Sequence, residues 1–321
     1  MKRIIVYFLG KIDRLISKIY LALFRERNSL SIFLFHSLFR DEKEINSGVV
    51  DINPQQAVTV EHFRRFIAYY LKEGYIFISP GDILKGLKND KKYALITFDD
   101  GYYNNHLAVP VLNEFKVPAI FFISANNIKE NKSFWWDILY RERKKQGVSI
   151  EKIYNERKEL MNKIAQEKEK YLIDRFGAQS LNPIGDIDRP FNPSELADFS
   201  KEKYVFIGNH TDNHAMLTEY SSSGVKMEIS NAQNSIYDIT GRAPDTIAYP
   251  YGKFSEEIAD VVKEIGLKVG FTTVSKKNYF PIKNFLKLNR FVVYGNDLKT
   301  LGESFRSDIQ LMFFIRKLFK K

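Results

Sequence analysis

The chain alternates short apolar runs, rich in β-branched and aromatic residues, with longer segments whose apolar residues recur at helical spacing. The apolar runs that we interpret as strands are residues 31–35, 75–79, 93–98, 119–123, 204–207, 246–249, 269–273 and 288–293. The segments that we interpret as helices are residues 59–73, 82–87, 105–115, 194–199, 225–239 and 255–265. This alternation predicts an α/β fold with parallel strands, either an open sheet or a barrel. Functional side chains then lie at the carboxyl ends of the strands.

One long segment interrupts this alternation. Residues 127–193 include the only two tryptophans, Trp135 and Trp136, and are highly charged, with sparse apolar residues at helical spacing. We interpret them as a helical insertion over one mouth of the fold. The 321 residues are enough for a single α/β barrel. The predicted parts are an amphipathic helix at residues 1–30, one domain at 31–300 and a tail at 301–321.

The net charge of +10 is concentrated at the two ends of the chain. Residues 1–30 hold seven Lys and Arg against two acids, and residues 301–321 hold five against two. The remaining residues are therefore nearly neutral. A basic groove for nucleic acid would need its charge on the folded domain, so the composition argues against a nucleic-acid partner.

Both charged ends have the pattern of amphipathic helices. Between residues 4 and 24 the apolar residues form one helical stripe, with Lys11, Arg14 and Lys18 off it. The longest uncharged run, residues 4–10, is far shorter than the roughly 20 residues that span a bilayer, and no small-residue cleavage site follows it. We therefore expect a cytoplasmic protein attached peripherally to an anionic membrane surface. The alternatives are a helix that packs on the protein's own domain and an exported protein with an uncleaved anchor.

Two adjacent carboxylates, Asp99 and Asp100, follow the predicted strand at residues 93–98. Neighbouring carboxylates at a strand end repel each other unless a positive group lies between them, such as a metal ion or an arginine. The alternative is a simple turn, since Asp-Asp-Gly is also favourable in loops.

Two histidines supply possible partners for this acidic pair. The chain has no cysteine, so any metal must be held by His, Asp or Glu. His210 and His214 are four residues apart, and on a helical turn both rings would face the same cation. Two nitrogens and one carboxylate would leave positions open for water, as a catalytic metal site requires. The alternative is an incidental histidine pair.

Three motifs together resemble those of the polysaccharide deacetylases with a NodB-homology domain, carbohydrate esterase family four. The first is Thr-Phe-Asp-Asp-Gly-Tyr at residues 97–102, the second is His-Thr-x-x-His at 210–214, and the third is Tyr-Pro-Tyr-Gly at 249–252. Their order and spacing agree with the family over about residues 32–293. The resemblance implies a distorted (β/α) barrel of the NodB-homology type.

The resemblance also implies roles for the motif residues. Asp100, His210 and His214 would bind a divalent ion, usually zinc, and Asp99 would be the general base. The backbone N–H of Tyr251 would stabilise the oxyanion. Such a site activates a water molecule and polarises an acetamide carbonyl, which leads to deacetylation of an N-acetylated sugar.

The sequence departs from the family pattern at two positions. Ala248 stands where many members have an arginine that braces the base, and no histidine follows His214 to act as the late catalytic histidine. His36 resembles the histidine that serves as the acid in the subgroup that deacetylates poly-N-acetylglucosamine, and Arg290 lies in a late strand where that subgroup often has an arginine. We therefore expect His36 to protonate the leaving amine and Arg290 to orient Asp99. The alternatives are a buried structural histidine and an ordinary arginine.

Several aromatic residues near these motifs are candidates for stacking on sugar rings, although aromatic residues at strand ends also serve as plain packing. The candidates are Tyr102, Tyr103, Tyr249, Tyr251, Trp135 and Trp136. We assign no role to His62 or His106, because neither has metal-ligand spacing to the other candidates.

The expected function is metal-dependent removal of N-acetyl groups from an N-acetylhexosamine glycan or a lipid-linked saccharide. The same metal chemistry would serve an O-acetyl esterase or the hydrolysis of a non-sugar amide. An alternative of another class is a catalytically silent carbohydrate-binding or assembly protein, for which the two departures from the pattern would be the signature.

Overall fold

The computed structural model describes residues 2–45, 58–295 and 302–308. The strands are β1 (Ser29–Phe35), β2 (Ile76–Phe77), β3 (Tyr93–Phe98), β4 (Ala119–Ile123), β5 (Val205–Asn209), β6 (Thr246–Ala248), β7 (Val269–Phe271), β8 (Asn278–Tyr279) and β9 (Phe291–Val292). The first helices are α1 (Lys2–Leu23), α2 (Glu42–Ile45), α3 (Val60–Lys72), α4 (Pro80–Lys85), α5 (Val109–Phe115) and α6 (Ala125–Glu130). The later helices are α7 (Trp135–Lys145), α8 (Ile150–Met161), α9 (Ala165–Phe176), α10 (Pro193–Phe199), α11 (Ser222–Thr240), α12 (Glu256–Glu264) and α13 (Gly302–Arg306).

The sheet is a curled, mainly parallel sheet in the order β7-β6-β5-β4-β3-β1, with helices packed on its outside. Its two edges are brought together by one short segment. Leu288 pairs with Phe271 of β7, and β9, three residues further on, pairs with Phe33 and Leu34 of β1. The predicted distorted (β/α) barrel is thus confirmed.

Short strands that share a neighbour distort the barrel. The first residues of β3 pair with β2, whereas its last residues pair with β4. In the same way β8 pairs antiparallel with the start of β1, and β9 pairs parallel with its end. The predicted strand at residues 288–293 is therefore only Phe291–Val292, because this segment divides its hydrogen bonds between two neighbours.

Alternation along the strands separates the barrel interior from the outer core. In β3, Ile96 and Phe98 pack in the outer core under the helices, whereas Leu95 packs in the interior. Because side chains alternate faces along a strand, Thr97 and Asp99 follow Leu95 on the interior side. This register carries the acidic pair to the mouth of the barrel.

The helix expected at residues 105–115 is divided in two. A 3₁₀ segment spans Tyr103–Ala108, and α5 begins only at Val109. Pro110 lies in the first turn of α5, where its missing N–H leaves no intrahelical hydrogen bond unmade. The proline thus marks the point at which a regular helix can begin.

Helices α7, α8 and α9 lie within the residues that the sequence assigned to an insertion. They share a small apolar core that includes Leu139, Leu160 and Leu172. Arg141 of α7 is buried. It donates to the carboxylate of Asp188 and to the carbonyl of Ser180, which lies in a 3₁₀ segment after α9 (Ala178–Leu181). Asp137 and the indole of Trp136, both on α7, bond to the hydroxyl of Tyr102 after β3, which holds α7 at the mouth of the barrel.

Helix α1 packs through its polar side. Asp13 is fully buried and accepts a hydrogen bond from Ser304 of α13, while Arg14 pairs with Glu303. The apolar stripe on the other side is exposed at Ile12, Leu15, Ile19, Leu23 and, just beyond the helix, Phe24. Within the described residues, no helix is long and apolar enough to cross a membrane. Of the predicted tail, residues 309–321 lie outside the described residues.

Candidate functional site

The residues singled out by the motifs lie where neighbouring strands end. Asp99 follows β3, His36 follows β1, and His210 follows β5. The third motif follows β6 directly. Because these strands are parallel, their carboxyl ends meet at one mouth of the barrel, as expected for the site of an α/β barrel.

Asp99 is held by Arg290 through two parallel hydrogen bonds. Arg290 Nη1 lies 2.7 Å from Asp99 Oδ1, and Nη2 lies 2.8 Å from Oδ2. The guanidinium also donates to the Thr97 hydroxyl and to the carbonyl of Thr272, and its side chain is fully buried. This bidentate geometry fixes the plane of the carboxylate and balances its charge.

Arg290 reaches Asp99 because of its place in the closing segment. It lies between Leu288, which pairs with β7, and Phe291, which pairs with β1. Its guanidinium lies over the rings of Phe122 and Phe271 in the interior of the barrel. Arg290 enters the barrel from this segment and lies next to Asp99. It thereby takes the place of the arginine that would stand at the position of Ala248.

Asp100, His210 and His214 form a second, tighter cluster beside Asp99. Asp100 Oδ1 lies 3.5 Å from His210 Nε2 and 3.3 Å from His214 Nε2. One ligand atom from each of these buried residues lies within 4.8 Å of the other two. Asp100 takes a positive φ of 80°, which turns its carboxylate away from that of Asp99 and toward the histidines.

The two histidines converge through a turn rather than a helix. The segment after β5 is irregular, and both Thr211 and His214 have positive φ angles. The Asn209 side chain accepts from the Thr211 N–H, and the Thr211 hydroxyl accepts from the Ala215 N–H. The expected helical turn is therefore wrong, because side-chain hydrogen bonds stabilise a left-handed turn that brings the same two rings together.

The charges in the cluster act on one another. Burial raises the pKa of Asp100, but hydrogen bonds from His210 and His214 outweigh it and hold this pKa well below its usual range. Burial lowers the pKa of His210, yet the nearby charges of Asp99 and Asp100 leave it raised. Burial lowers the pKa of His214 to about 4. His36, which is half-buried, directly follows Phe35 of β1, and Phe35 pairs with Phe98 of β3, directly before the acidic pair.

The cluster has the donor set of a divalent cation site. His210 Nδ1 lies 2.7 Å from the Ala248 carbonyl, which keeps a proton on Nδ1, so that Nε2 can lose its proton and present a lone pair to a cation beside Asp100. His214 also presents Nε2 to this carboxylate. One carboxylate and two imidazoles match the ligands that zinc takes in catalytic sites. The residues present thus fit a divalent cation.

Tyr251 and Trp135 line the other side of the cluster. Tyr251 has a φ of 60°, and its ring stands edge-on to His214 with centroids 4.8 Å apart. The indole N–H of Trp135 donates to the Tyr251 hydroxyl at 3.1 Å. Both residues are half-buried.

Two of the aromatic candidates are packing residues. Tyr249 is fully buried, and its hydroxyl donates to the Leu286 carbonyl. Tyr102 is also buried, with its hydroxyl bonded to Asp137 and to the indole of Trp136. These placements correct the expectation that the two tyrosines contact a sugar, because neither ring has an open face.

The other candidates have separate surroundings. Trp136 is nearly buried against the His214 ring, with centroids 4.6 Å apart. Tyr103 lies under the guanidinium of Arg189. His106 bonds to the backbone of the same 3₁₀ segment, apart from the metal-ligand cluster.

The insertion adds a residue that the motifs did not indicate. Lys168 of α9 is buried and lines a cavity of about 60 Å³ together with Trp135, Trp136 and His214. In the sequence this lysine lies within a highly charged run, which is the usual pattern of a solvated helix face. Its burial could not be read from that pattern.

The fold and the site define a barrel with a carboxylate and a metal-ligand cluster at its mouth, and comparison with known sequences identifies its family. The sequence model for the polysaccharide deacetylase family matches residues 86–270, more than half of the chain. The chain belongs to the polysaccharide deacetylase family, and the resemblance drawn from the motifs is confirmed.

Similar proteins and structures include several deacetylases. The peptidoglycan-N-acetylglucosamine deacetylase PgdA of Listeria monocytogenes is 35% identical over 63 residues, which are 20% of this chain and 13% of that protein. The poly-beta-1,6-N-acetyl-D-glucosamine N-deacetylase of Staphylococcus aureus is 23% identical over 84% of this chain and 75% of its own.

Two solved structures share the fold. The Streptococcus pyogenes deacetylase PplD, in complex with acetate, matches with a TM-score of 0.58 and 16% identity over 86% of this chain and 97% of its own. IcaB from Ammonifex degensii matches with a TM-score of 0.56 and 14% identity over 88% of this chain and 99% of its own.

Proposed function

We propose that this protein is a divalent-metal-dependent deacetylase that removes N-acetyl groups from an N-acetylhexosamine glycan. The observation that carries this proposal is the placement of an arginine-held carboxylate, Asp99, beside the buried cluster of Asp100, His210 and His214. The family to which the chain belongs and the names of its similar proteins support the same reaction class.

Asp99 is the proposed general base. Its carboxylate lies next to the metal-ligand cluster, with Oδ2 3.8 Å from His210 Nε2. A water molecule at this cluster would transfer its proton to Asp99 as its oxygen attacks the acetamide carbonyl. Arg290 keeps the carboxylate in one orientation during this transfer, which makes Arg290 a positioning residue.

His36 is the proposed acid for the leaving amine. It ends β1, and its neighbour Phe35 pairs in register with Phe98, directly before Asp99. The imidazole therefore lies at the same mouth as the base. An amine leaves an acetamide only after it gains a proton, and His36 supplies this proton to the sugar nitrogen.

Asp100, His210 and His214 would hold the cation, which we propose to be zinc. When bound, this ion supplies Lewis acidity, lowering the pKa of a water molecule and polarising the acetamide carbonyl. The backbone N–H of Tyr251, presented by a left-handed turn, is the proposed donor to the developing oxyanion.

The pairing of Arg290 with Asp99 supports catalysis over a silent binding role. Burying a carboxylate beside a metal-ligand cluster is unfavourable unless a buried arginine balances its charge. A protein that only binds carbohydrate has no function for such a carboxylate. The missing arginine at Ala248 therefore does not argue for a silent protein.

Acetate release tests the reaction. Metal-reconstituted protein should release acetate from N-acetylglucosamine oligomers much faster than from O-acetylated sugars of the same length. Faster release from the O-acetyl substrates would support an esterase instead. No release from either class, with retained glycan binding, would support the silent binding protein.

Peripheral attachment to an anionic membrane is a second proposal, based on α1. Its polar side is occupied by α13, where Arg14 and Lys18 pair with Glu303. Its exposed apolar stripe is followed by the exposed basic residues Arg25 and Arg27. Apolar residues bordered by cations are typical of helices that lie on anionic lipid. This position would bring the site near lipid-linked saccharides.

Flotation with liposomes tests this attachment. Full-length protein should float with vesicles that contain phosphatidylglycerol and much less with phosphatidylcholine alone. The variant L15E/I19E changes only exposed side chains and should stay in the bottom fraction. Equal flotation of the variant and the parent would contradict the proposal.

A further inference from the structure

Lys168 is a buried cation without a bonding partner. Its side chain belongs to α9 of the insertion, and the residue is only 3% exposed. In the part of the chain that the structure describes, its ammonium group forms neither a hydrogen bond nor an ion pair with another residue, whereas Lys170, one half-turn away, pairs with Asp174. The ammonium group of Lys168 faces the cavity, where water or a ligand can reach it. A cation that is enclosed to this extent without a partner is unusual, because its desolvation is unfavourable.

The ammonium group lies among aromatic rings rather than among acids. Its Nζ is 5.3 Å from the ring centroid of Trp135 and 5.4 Å from that of Tyr251. Burial lowers the pKa of Lys168 to about 8, although the more distant charges of Glu219 and Glu228 oppose this change. The group thus remains mostly protonated at neutral pH.

The surroundings of Lys168 connect it to the proposed active site. The same cavity is lined by Lys168, by the half-buried amides Asn126 and Asn213, and by the metal-ligand residue His214. The amide of Asn126 donates to Asn213, and the amide of Asn213 donates to Glu228, so the ammonium of Lys168 is the donor that a ligand group in this cavity meets beside His214.

Charge balance favours an anionic ligand over a neutral one. Asp99 is already balanced by Arg290, and the charge of Asp100 is directed to the histidine cluster. Glu169, which also lines the cavity, is paired with Lys132 at 2.9 Å. Among the described residues, Lys168 therefore adds a positive charge that no carboxylate neutralises by direct contact. A carboxylate or phosphate would supply the missing charge and accept hydrogen bonds from the ammonium.

We propose that Lys168, together with the Trp135 ring, forms a subsite for an anionic substituent of the substrate, next to the sugar that is deacetylated. The preferred substrate is then an acidic N-acetylated glycan. The assignment of a substrate rests on the proposed deacetylase function, whereas binding of an anion can be measured without turnover.

Intrinsic fluorescence provides a direct readout, because both tryptophans of the chain line the cavity. Full-length protein is titrated with N-acetylglucosamine, with N-acetylmuramic acid, which carries a carboxylate, and with N-acetylglucosamine 1-phosphate. The parent should bind at least one acidic sugar about tenfold more tightly than the neutral sugar. The acidic sugar with the larger gain in affinity over N-acetylglucosamine shows whether the substituent is a carboxylate or a phosphate.

The variant Lys168→Gln should lose this tenfold preference and keep its affinity for N-acetylglucosamine, whereas Lys168→Arg should retain most of the preference. Lys170→Gln, an exposed change on the same helix, is the matched control and should behave like the parent. Equal affinity of the parent for all three sugars overturns the subsite, as does an unchanged preference in Lys168→Gln. Acid-selective binding without acetate release would instead contradict the proposed function and leave the subsite intact.

Discussion

Arg290 and Asp99, which are 191 positions apart in the chain, are joined by two parallel hydrogen bonds inside the barrel. This contact depends on the closing segment between β7 and β1, which carries the guanidinium toward the end of β3. The role proposed for Arg290 is to hold the carboxylate of the base in one orientation.

Replacement of Arg290 should therefore affect both catalysis and stability. Arg290→Ala leaves a buried carboxylate without its cation and should lower the free energy of unfolding by about 3–5 kcal/mol. Arg290→Lys keeps the charge but not the bidentate geometry, so it should lower kcat with a smaller loss of stability. Urea denaturation and acetate-release kinetics measure the two effects separately. If Arg290→Lys had the parent's kcat, the positioning role would be rejected.

The motifs locate the strand-end residues well because a short apolar run that stops at polar residues has few structural interpretations. The sequence could not show whether His210 to His214 form a helical turn, because a turn with left-handed residues brings two rings four positions apart together equally well. It also could not separate Tyr249, which is buried, from Tyr251, which lines the site. Such distinctions depend on long-range packing, and so does the burial of Lys168. The catalytic roles themselves stay predictions.

His36 can be tested by changing the leaving group. His36→Ala should lower kcat for N-acetylglucosamine oligomers by about 10²- to 10⁴-fold, because the departing amine loses its proton donor. The same variant should hydrolyse 4-nitrophenyl acetate at close to the parent rate, because nitrophenolate leaves without a proton. His106→Ala serves as the control, since His106 lies outside the cluster. Equal losses on both substrates would show that His36 is structural.

The pKa values in the cluster predict how metal affinity depends on pH. The pKa of His210 is raised above its ordinary value of 6.5, so a cation must displace a proton from this ring at any pH below that raised pKa. The pKa of His214 is lowered to about 4, so this ring is already neutral. Metal affinity should therefore fall as pH decreases through the raised pKa of His210, with about one proton released per ion.

Calorimetry in buffers of different ionisation enthalpy measures that proton count. His210→Ala provides the comparison, since it should bind the ion weakly and lose the pH dependence above pH 5. An affinity that is constant from pH 8 to pH 5 in the parent would contradict the assignment of His210 as a ligand.

Tyr249 should matter for stability and not for turnover. Tyr249→Phe removes the hydroxyl that donates to the Leu286 carbonyl in the core, which should lower the free energy of unfolding by about 1 kcal/mol. The values of kcat and KM should stay within twofold of the parent, because the ring does not reach the cavity. A raised KM with unchanged stability would restore Tyr249 as a sugar-binding residue.

The central claim is that Asp99 acts as the base beside an intact metal site. Its most direct test is acetate release from N-acetylglucosamine oligomers by the parent and by Asp99→Asn, each with its bound metal quantified. We predict that Asp99→Asn keeps close to one ion per chain and loses acetate release by about 10²-fold or more. Retention of the parent's rate by metal-loaded Asp99→Asn would contradict the account.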